Sequence, residues 1–200
     1  TIFTPYPAYK FLISSDGQTL VSSNMNINFE NNIPIDSSGN WQTAYRATVN
    51  VWNLKTGQRR YTLADNSDPF SSALGISPDG KTLFSWHSSE SVNTAATMKI
   101  LNLETGQLIR TFNTPANTTP LDISTDGNTL TVTGAGSISL LNPRNGQLIS
   151  TFTMPLRGMI RQSAISPDGQ TLAYISFDSL PISSRRKLMI WDLRTGQSIG

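Results

Sequence analysis

The residues able to do chemistry in this 200-residue chain are few and scattered. It has one histidine, His87, and no cysteine. Thiolate nucleophiles, disulfides and thiolate metal sites are therefore excluded, and no histidine pair can form at metal-ligand spacing. A single imidazole also rules out most nucleophile-base-acid triads. No glycine-rich phosphate cradle runs into a helix. Four aspartates, Asp16, Asp79, Asp126 and Asp168, look like a set. Each sits in its own copy of a turn phrase, so they are assigned to turns and not to ion binding. The expectation is a chain that is not an enzyme, with no cofactor and no metal.

The better candidates are residues that break the pattern described below. Trp41, Tyr45 and Arg46 follow a long polar stretch, Trp86 and His87 precede Glu90, and Arg185, Arg186 and Lys187 follow Asp178. Aromatic and arginine side chains are the types that anchor interfaces. These eight are read as candidate contacts for a protein or peptide partner. The competing reading is that the loops carrying them only cover strand edges and that the basic triplet is solvated. Trp52 and Trp191 recur at one phase and are assigned to the core, and the Asn117-Thr118-Thr119 sequon is read as incidental.

Two interleaved phrases define the elements that must position these residues. Ile13-Ser14-Ser15-Asp16-Gly17-Gln18-Thr19-Leu20 returns at Ile76–Leu83, Ile123–Leu130 and Ile165–Leu172, with six of its eight positions invariant. Val51-Trp52-Asn53-Leu54-Lys55-Thr56-Gly57-Gln58 returns at 100–107, 140–147 and 190–197. In the first phrase Ser-Pro-Asp-Gly builds a type I turn closed by a left-handed glycine, flanked by apolar strands. In the second, Thr-Gly or Asn-Gly turns the chain after a strand, and Asn53, Asn102, Asn142 and Asp192 are placed to cap that turn through side-chain to backbone bonds. Each unit thus reads as four short antiparallel strands, a to d, and no segment reads as a helix.

Spacing then separates the constant from the variable. From Gly57 to Asp79, Gly106 to Asp126 and Gly146 to Asp168 the steps are 22, 20 and 22 residues. From Asp16 to Gly57, Asp79 to Gly106, Asp126 to Gly146 and Asp168 to Gly196 they are 41, 27, 20 and 28. The variation lies entirely between strands b and c. Insertions confined to one rim of a repeat array often mark its binding face.

These phrases, four times over nearly the whole chain, resemble the WD-repeat β-propellers of the bacterial type. The full Trp-Asp signature stands at Trp191-Asp192, Trp52-Asn53 is a close variant, and Leu101-Asn102 and Leu141-Asn142 are weaker ones. The resemblance implies an all-β propeller of four-stranded antiparallel blades, approximately 6–64, 65–113, 114–153 and 154–200, with the end of one d strand at 1–5. It implies that the loops 23–47, 86–97 and 176–187 share a top face. The family's Gly-His pair is missing from every unit, so its Asp-His-Ser/Thr-Trp tetrad is not expected, and the blades are expected to lean on apolar packing and turns. The functional expectation is a protein-interaction scaffold. The alternatives are a ligand-binding or enzyme-associated propeller (sugar, metal or hydrolase-linked), or a regulatory segment of a larger signalling protein.

Composition agrees with this picture. Ser and Thr number 48, Asn 16, and only 14% of residues are charged, for a net charge of +2. Short hydroxyl residues suit strands and turns. So small a charge offers no field to gather nucleic acid, and no apolar run of about 18 residues is present to span a membrane. The chain starts at Thr1, and Thr195–Gly200 followed by Thr1–Pro5 reads in phase with Thr105–Pro115. That phase is compatible with a closed four-bladed ring, with self-association to complete a ring, or with a portion of a longer array.

Overall fold

A computed structural model describes residues 8–27, 45–63, 70–88, 95–134, 136–153, 158–178 and 186–199. They form sixteen strands and no helix. The first sheet holds β1 (Ala8–Ile13), β2 (Thr19–Ile27), β3 (Tyr45–Asn53) and β4 (Arg59–Leu63), and the second β5 (Phe70–Ile76), β6 (Thr82–Ser88), β7 (Thr97–Asn102) and β8 (Leu108–Asn113). The third holds β9 (Thr119–Ile123), β10 (Leu130–Gly134), β11 (Ser137–Leu141) and β12 (Leu148–Thr153), and the fourth β13 (Gly158–Ile165), β14 (Thr171–Asp178), β15 (Arg186–Asp192) and β16 (Gln197–Ser198). Each sheet is an antiparallel meander in sequence order, and the four are the blades of a four-bladed β-propeller.

The turn phrases fold for local reasons. At the first, Gly17 takes φ 68°, and its amide donates to the Ser14 carbonyl (2.9 Å). The Ser14 hydroxyl donates to Asp16 and accepts from the Thr19 amide (3.0 Å), while Asp16 accepts from the Gln18 amide (2.9 Å). The pattern recurs at Ser77/Asp79, Ser124/Asp126 and Ser166/Asp168. The invariant serine is thus as much a part of the turn as the aspartate. These bonds hold Asp16, Asp79 and Asp168 below the usual carboxylate range, the serine hydroxyl being the leading cause.

The caps expected at the c-to-d turns are present. The Asn53 side chain accepts from the amides of Lys55 (2.9 Å) and Thr56 (3.1 Å), and Asn102 from Glu104 and Thr105. Asn142 accepts from Arg144, and Asp192 from Arg194 and Thr195. The Arg194 guanidinium also donates to Asp192 and draws that carboxyl down to about 2. The Leu54, Leu103 and Leu193 amides donate to the Gln18, Lys81 and Gln170 carbonyls, tying the c-to-d turn to the a-to-b turn of the same blade. In blade 3 Pro143 occupies the leucine position and has no amide hydrogen to give.

Strand alternation gives each blade a leading face toward the blade before it and a trailing face toward the blade after. Three apolar clusters fill the seams. Val21, Val49 and Val51 meet Ala73, Leu83, Leu101 and Leu103 between blades 1 and 2. Leu74, Phe84, Met98 and Ile100 meet Ile123, Leu130, Val132 and Leu141 between blades 2 and 3. Ile138 and Leu140 meet Ile165, Leu172, Trp191 and Leu193 between blades 3 and 4. Strand a of each blade lies against strand a of the next, β1 on β5, β5 on β9 and β9 on β13. Among the described residues no apolar cluster joins blades 4 and 1.

An aromatic ring from strand d of each of the first three blades lies over the turn glycine of the next. Tyr61 covers Gly106, Phe112 covers Gly146 and Phe152 covers Gly196. A methyl on Gly106 would stand 3.0 Å from the Tyr61 ring, and on Gly146 or Gly196 it would collide with phenylalanine. Tyr61 also donates its hydroxyl to the Leu103 carbonyl (2.6 Å), and burial pushes its ionisation up to about 12.

Blade 1 departs from the expected apolar packing. The Trp52 indole donates to the Ser22 hydroxyl (3.0 Å), which donates to the Asn24 side-chain oxygen (2.9 Å). The Asn50 side-chain amide donates to that same oxygen (3.0 Å), and the Thr62 hydroxyl donates to Asn50 (2.7 Å). Ser22, Asn24 and Asn50 are buried. The missing histidine does not leave this blade to apolar contacts alone, because three strands contribute a polar ladder of their own. In blade 4 Tyr174 stands where Ser22 stands in blade 1 and packs beside Trp191 in the seam.

Candidate functional site

The innermost strands converge on an axial depression of about 500 Å³. Lys10 of β1, Ser72 and Leu74 of β5, Thr119 to Leu121 of β9, and Ile160, Gln162 and Ser163 of β13 line it, with Trp86 of β6. All four blades contribute. Trp86 lies near the end of β6 that leads into the b-to-c loop, and the lining residues of strands a lie toward their d-to-a ends. The depression therefore opens on the rim where the insertions cluster.

One charged pair crosses this region. The Lys10 ammonium lies 3.7 Å from the Asp122 carboxylate, both side chains being partly buried. Lys10 belongs to blade 1 and Asp122 to blade 3, so the pair spans the axis between blades that share no seam. Asp122 also accepts from its neighbouring Ile123 amide (3.0 Å) and from the Ile165 amide of blade 4 (3.3 Å). Burial raises the Asp122 pKa, and Lys10 is the strongest influence pulling it back. Strand a thus brings a charged pair to the axis.

The six sequence candidates among the described residues sit on three separate strands, β3, β6 and β15. Trp86 is half-buried, with one side against the blade 2–3 core and the other in the depression. His87 follows it on the strand, pairs with Ser71 and Thr97, and points to the opposite face. Tyr45 and Arg46 are the first residues of β3, opposite Ile27 and Asn26, so that part of the first insertion lengthens a hairpin and is not loop. Arg186 and Lys187 likewise open β15, opposite Phe177 and Ser176. Lys187 is exposed on strand c, away from the axis. Trp41 and Arg185 lie outside the described residues.

The depression combines an indole face, aliphatic walls from Leu74, Leu121 and Ile160, and amide, hydroxyl and ammonium groups from Gln162, Thr119, Ser163 and Lys10. Such a mixture suits an aliphatic or aromatic side chain flanked by backbone amides. Among the described residues no group of three or more His, Asp or Glu side chains could hold a metal ion, and no helix is long and apolar enough to cross a membrane.

No protein-family model and no curated protein matches the chain. Solved structures do. TolB from Acinetobacter baumannii is similar with a TM-score of 0.62 at 18% identity, over 96% of this chain and 43% of TolB. A chain of the mitotic checkpoint complex is similar with a TM-score of 0.59 at 16% identity, over 96% of this chain and 50% of the other. The chain thus spans half or less of the length of these neighbours. At such identities the likeness is one of fold, and with the four meandering sheets it supports the β-propeller.

Proposed function

We propose that this chain is a WD-repeat-type propeller module acting as a non-enzymatic scaffold, which holds a protein or peptide partner on its b-to-c rim, around the mouth of the axial channel. The observation that carries this reading is the axial depression, to which every blade contributes and into which Trp86 projects from the insertion-bearing rim. The length variation between strands b and c supports the same face.

The test is selection of random displayed peptides against the immobilised module, followed by competition with variants of it. Trp86→Leu keeps an apolar side chain against the core while removing the indole from the depression. Together with Gln162→Ala it should weaken selected peptides at least tenfold, whereas Arg59→Ala on the outer strand should leave them unchanged. Peptides that bind all three variants equally would place the contact elsewhere and refute the site.

A further inference from the structure

One cross-strand row repeats on the trailing face of each of the first three blades. In blade 1 it is Val21, Val51 and Tyr61, in blade 2 Phe84, Ile100 and Arg110, and in blade 3 Thr131, Leu140 and Ser150. Tyr61 closes the blade 1–2 seam, its ring over Gly106 and its hydroxyl on the Leu103 carbonyl. Arg110 holds the same position without a ring, and a groove of about 600 Å³ lies open between blades 2 and 3. Phe84, Ile100 and Ile109 give the groove an apolar wall, and Arg110 of β8 and Arg144 of the blade 3 c-to-d turn line it as well. Ile109 is the extra residue of a β-bulge and is 60% exposed, with Leu108 beside it also open.

The two guanidiniums are uncommitted. Among the described residues neither forms an ion pair or a side-chain hydrogen bond. Arg194, at the turn position of Arg144, is bonded to its own cap Asp192 (2.9 Å), whereas the blade 3 cap is the uncharged Asn142. Glu104 fills that turn position in blade 2, and the corresponding groove between blades 1 and 2 balances its charges with Asp16 and Glu104 against Arg60 and Lys81. One acid, Asp79, borders the blade 2–3 groove, and its carboxylate is engaged by the Ser77 hydroxyl and the Lys81 amide of its own turn. Two cations thus face one acid beside an apolar wall.

We propose that this groove takes an acidic peptide segment of a protein partner, with one bulky apolar side chain on Phe84, Ile100 and Ile109 and a flanking Asp or Glu carboxylate accepting from Arg110 and Arg144. Charge complementarity selects the occupant, since arginine binds carboxylate through two parallel, charge-assisted hydrogen bonds. A peptide fits better than a small ligand because β8 is the edge strand of its sheet, and an edge offers main-chain donors and acceptors to an extended chain. The groove opens among a-to-b and c-to-d turns, on the rim opposite the axial depression, so the inference does not rest on the axial reading.

An array of hexapeptides, each with one Leu, Ile, Met, Phe or Trp between Asp or Glu residues, tests it beside matched arrays carrying Lys or Ser in place of the acids. Wild type should hold acidic peptides and pass over the basic and neutral ones. Arg110→Ser and Arg144→Glu install the residues that blades 3 and 2 carry at these positions, so both should keep the wild-type circular dichroism. Each should weaken the bound peptides at least tenfold, and so should Ala in place of the peptide's apolar residue, while Trp86→Leu should change nothing. A wild type that holds no acidic peptide, or arginine variants that hold them equally well, overturns the proposal. So does a loss confined to Trp86→Leu, which would put the acidic peptides in the axial depression. Indifference to the peptide's apolar residue overturns it too, by reducing the groove to a general anion site.

Discussion

Gly146→Ala and Gly57→Ala are the same substitution at equivalent turns, yet they should differ in cost about threefold. Both glycines hold left-handed backbone, φ 76° and 72°, where a side chain costs about 1–2 kcal/mol. At Gly57 that is the whole effect, because the methyl enters open space. At Gly146 the methyl runs into the Phe112 ring, which packs on the blade 2–3 core and has little room to retreat. Such overpacking adds about 1–3 kcal/mol. The expected losses are thus about 1 kcal/mol for Gly57→Ala and about 3 kcal/mol for Gly146→Ala, read from urea unfolding followed by tryptophan fluorescence. Heat would show the same order, at roughly 2–4 °C per kcal/mol for a domain of this size. Phe112→Ala should remove the collision, so the double variant should be less destabilised than the sum of the singles by about 1–2 kcal/mol. Equal losses at the two glycines, with an additive double variant, would refute the idea that the ring locks neighbouring blades.

In the polar ladder, Ser22→Ala leaves the buried Trp52 indole without its acceptor and should cost about 1–3 kcal/mol by urea titration; no measurable loss would mean the ladder contributes nothing. Lys10→Met removes the counter-charge from a partly buried carboxylate and should cost about 1–2 kcal/mol at neutral pH, a loss that Asp122→Asn in the same chain should largely relieve. The pH dependence has two opposing parts. Asp16, Asp79, Asp126, Asp168 and Asp192 titrate lower in the folded chain than their ordinary 3.8. Their contribution is full above that value and is lost as pH falls through the folded values. Asp122 is raised, so its contribution runs the other way, greatest in acid and lost as pH climbs through its folded value. Asp122→Asn removes the opposing part, and in that variant the urea midpoint should fall as pH drops from 5 to 2; a flat midpoint there would contradict the hydrogen bonds assigned to the turns.

Local chemistry was legible in the sequence, and chemistry between distant segments was not. The left-handed glycines, the turn aspartates and the Asn53, Asn102 and Asn142 caps close within a few residues, so residue type and spacing define them. The ladder of blade 1 joins Asn24 to Asn50 across 26 residues, through the longest insertion. An Asn there reads as loop until the strands are seen to extend to Ile27 and back from Tyr45. Lys10 and Asp122 meet only because the blades curve around an axis, which repeat spacing does not specify. The glycines of the second phrase carried a visible reason, positive φ, and a hidden one, the ring of the preceding blade. The aromatics were visible too, in Thr111-Phe112 and Thr151-Phe152, but their targets lie some forty residues further on. For the candidate site, sequence supplied the rim and Trp86, and topology supplied the rest of the wall.

The ring-over-glycine contact has a consequence for how such a molecule melts and how it grows. Each of the first three blades lays an aromatic over a glycine of its successor, so coupling runs between nearest neighbours like spins on a line. The middle blades are held from both sides and the outer ones from one. Amide exchange should therefore be slowest in β6 and β10 and fastest in β2 and β14, with opening that starts at the flanks and travels inward. A duplicated unit would arrive with both halves of the contact already in place. Blade number in such an array can change by whole units without any new seam having to be invented.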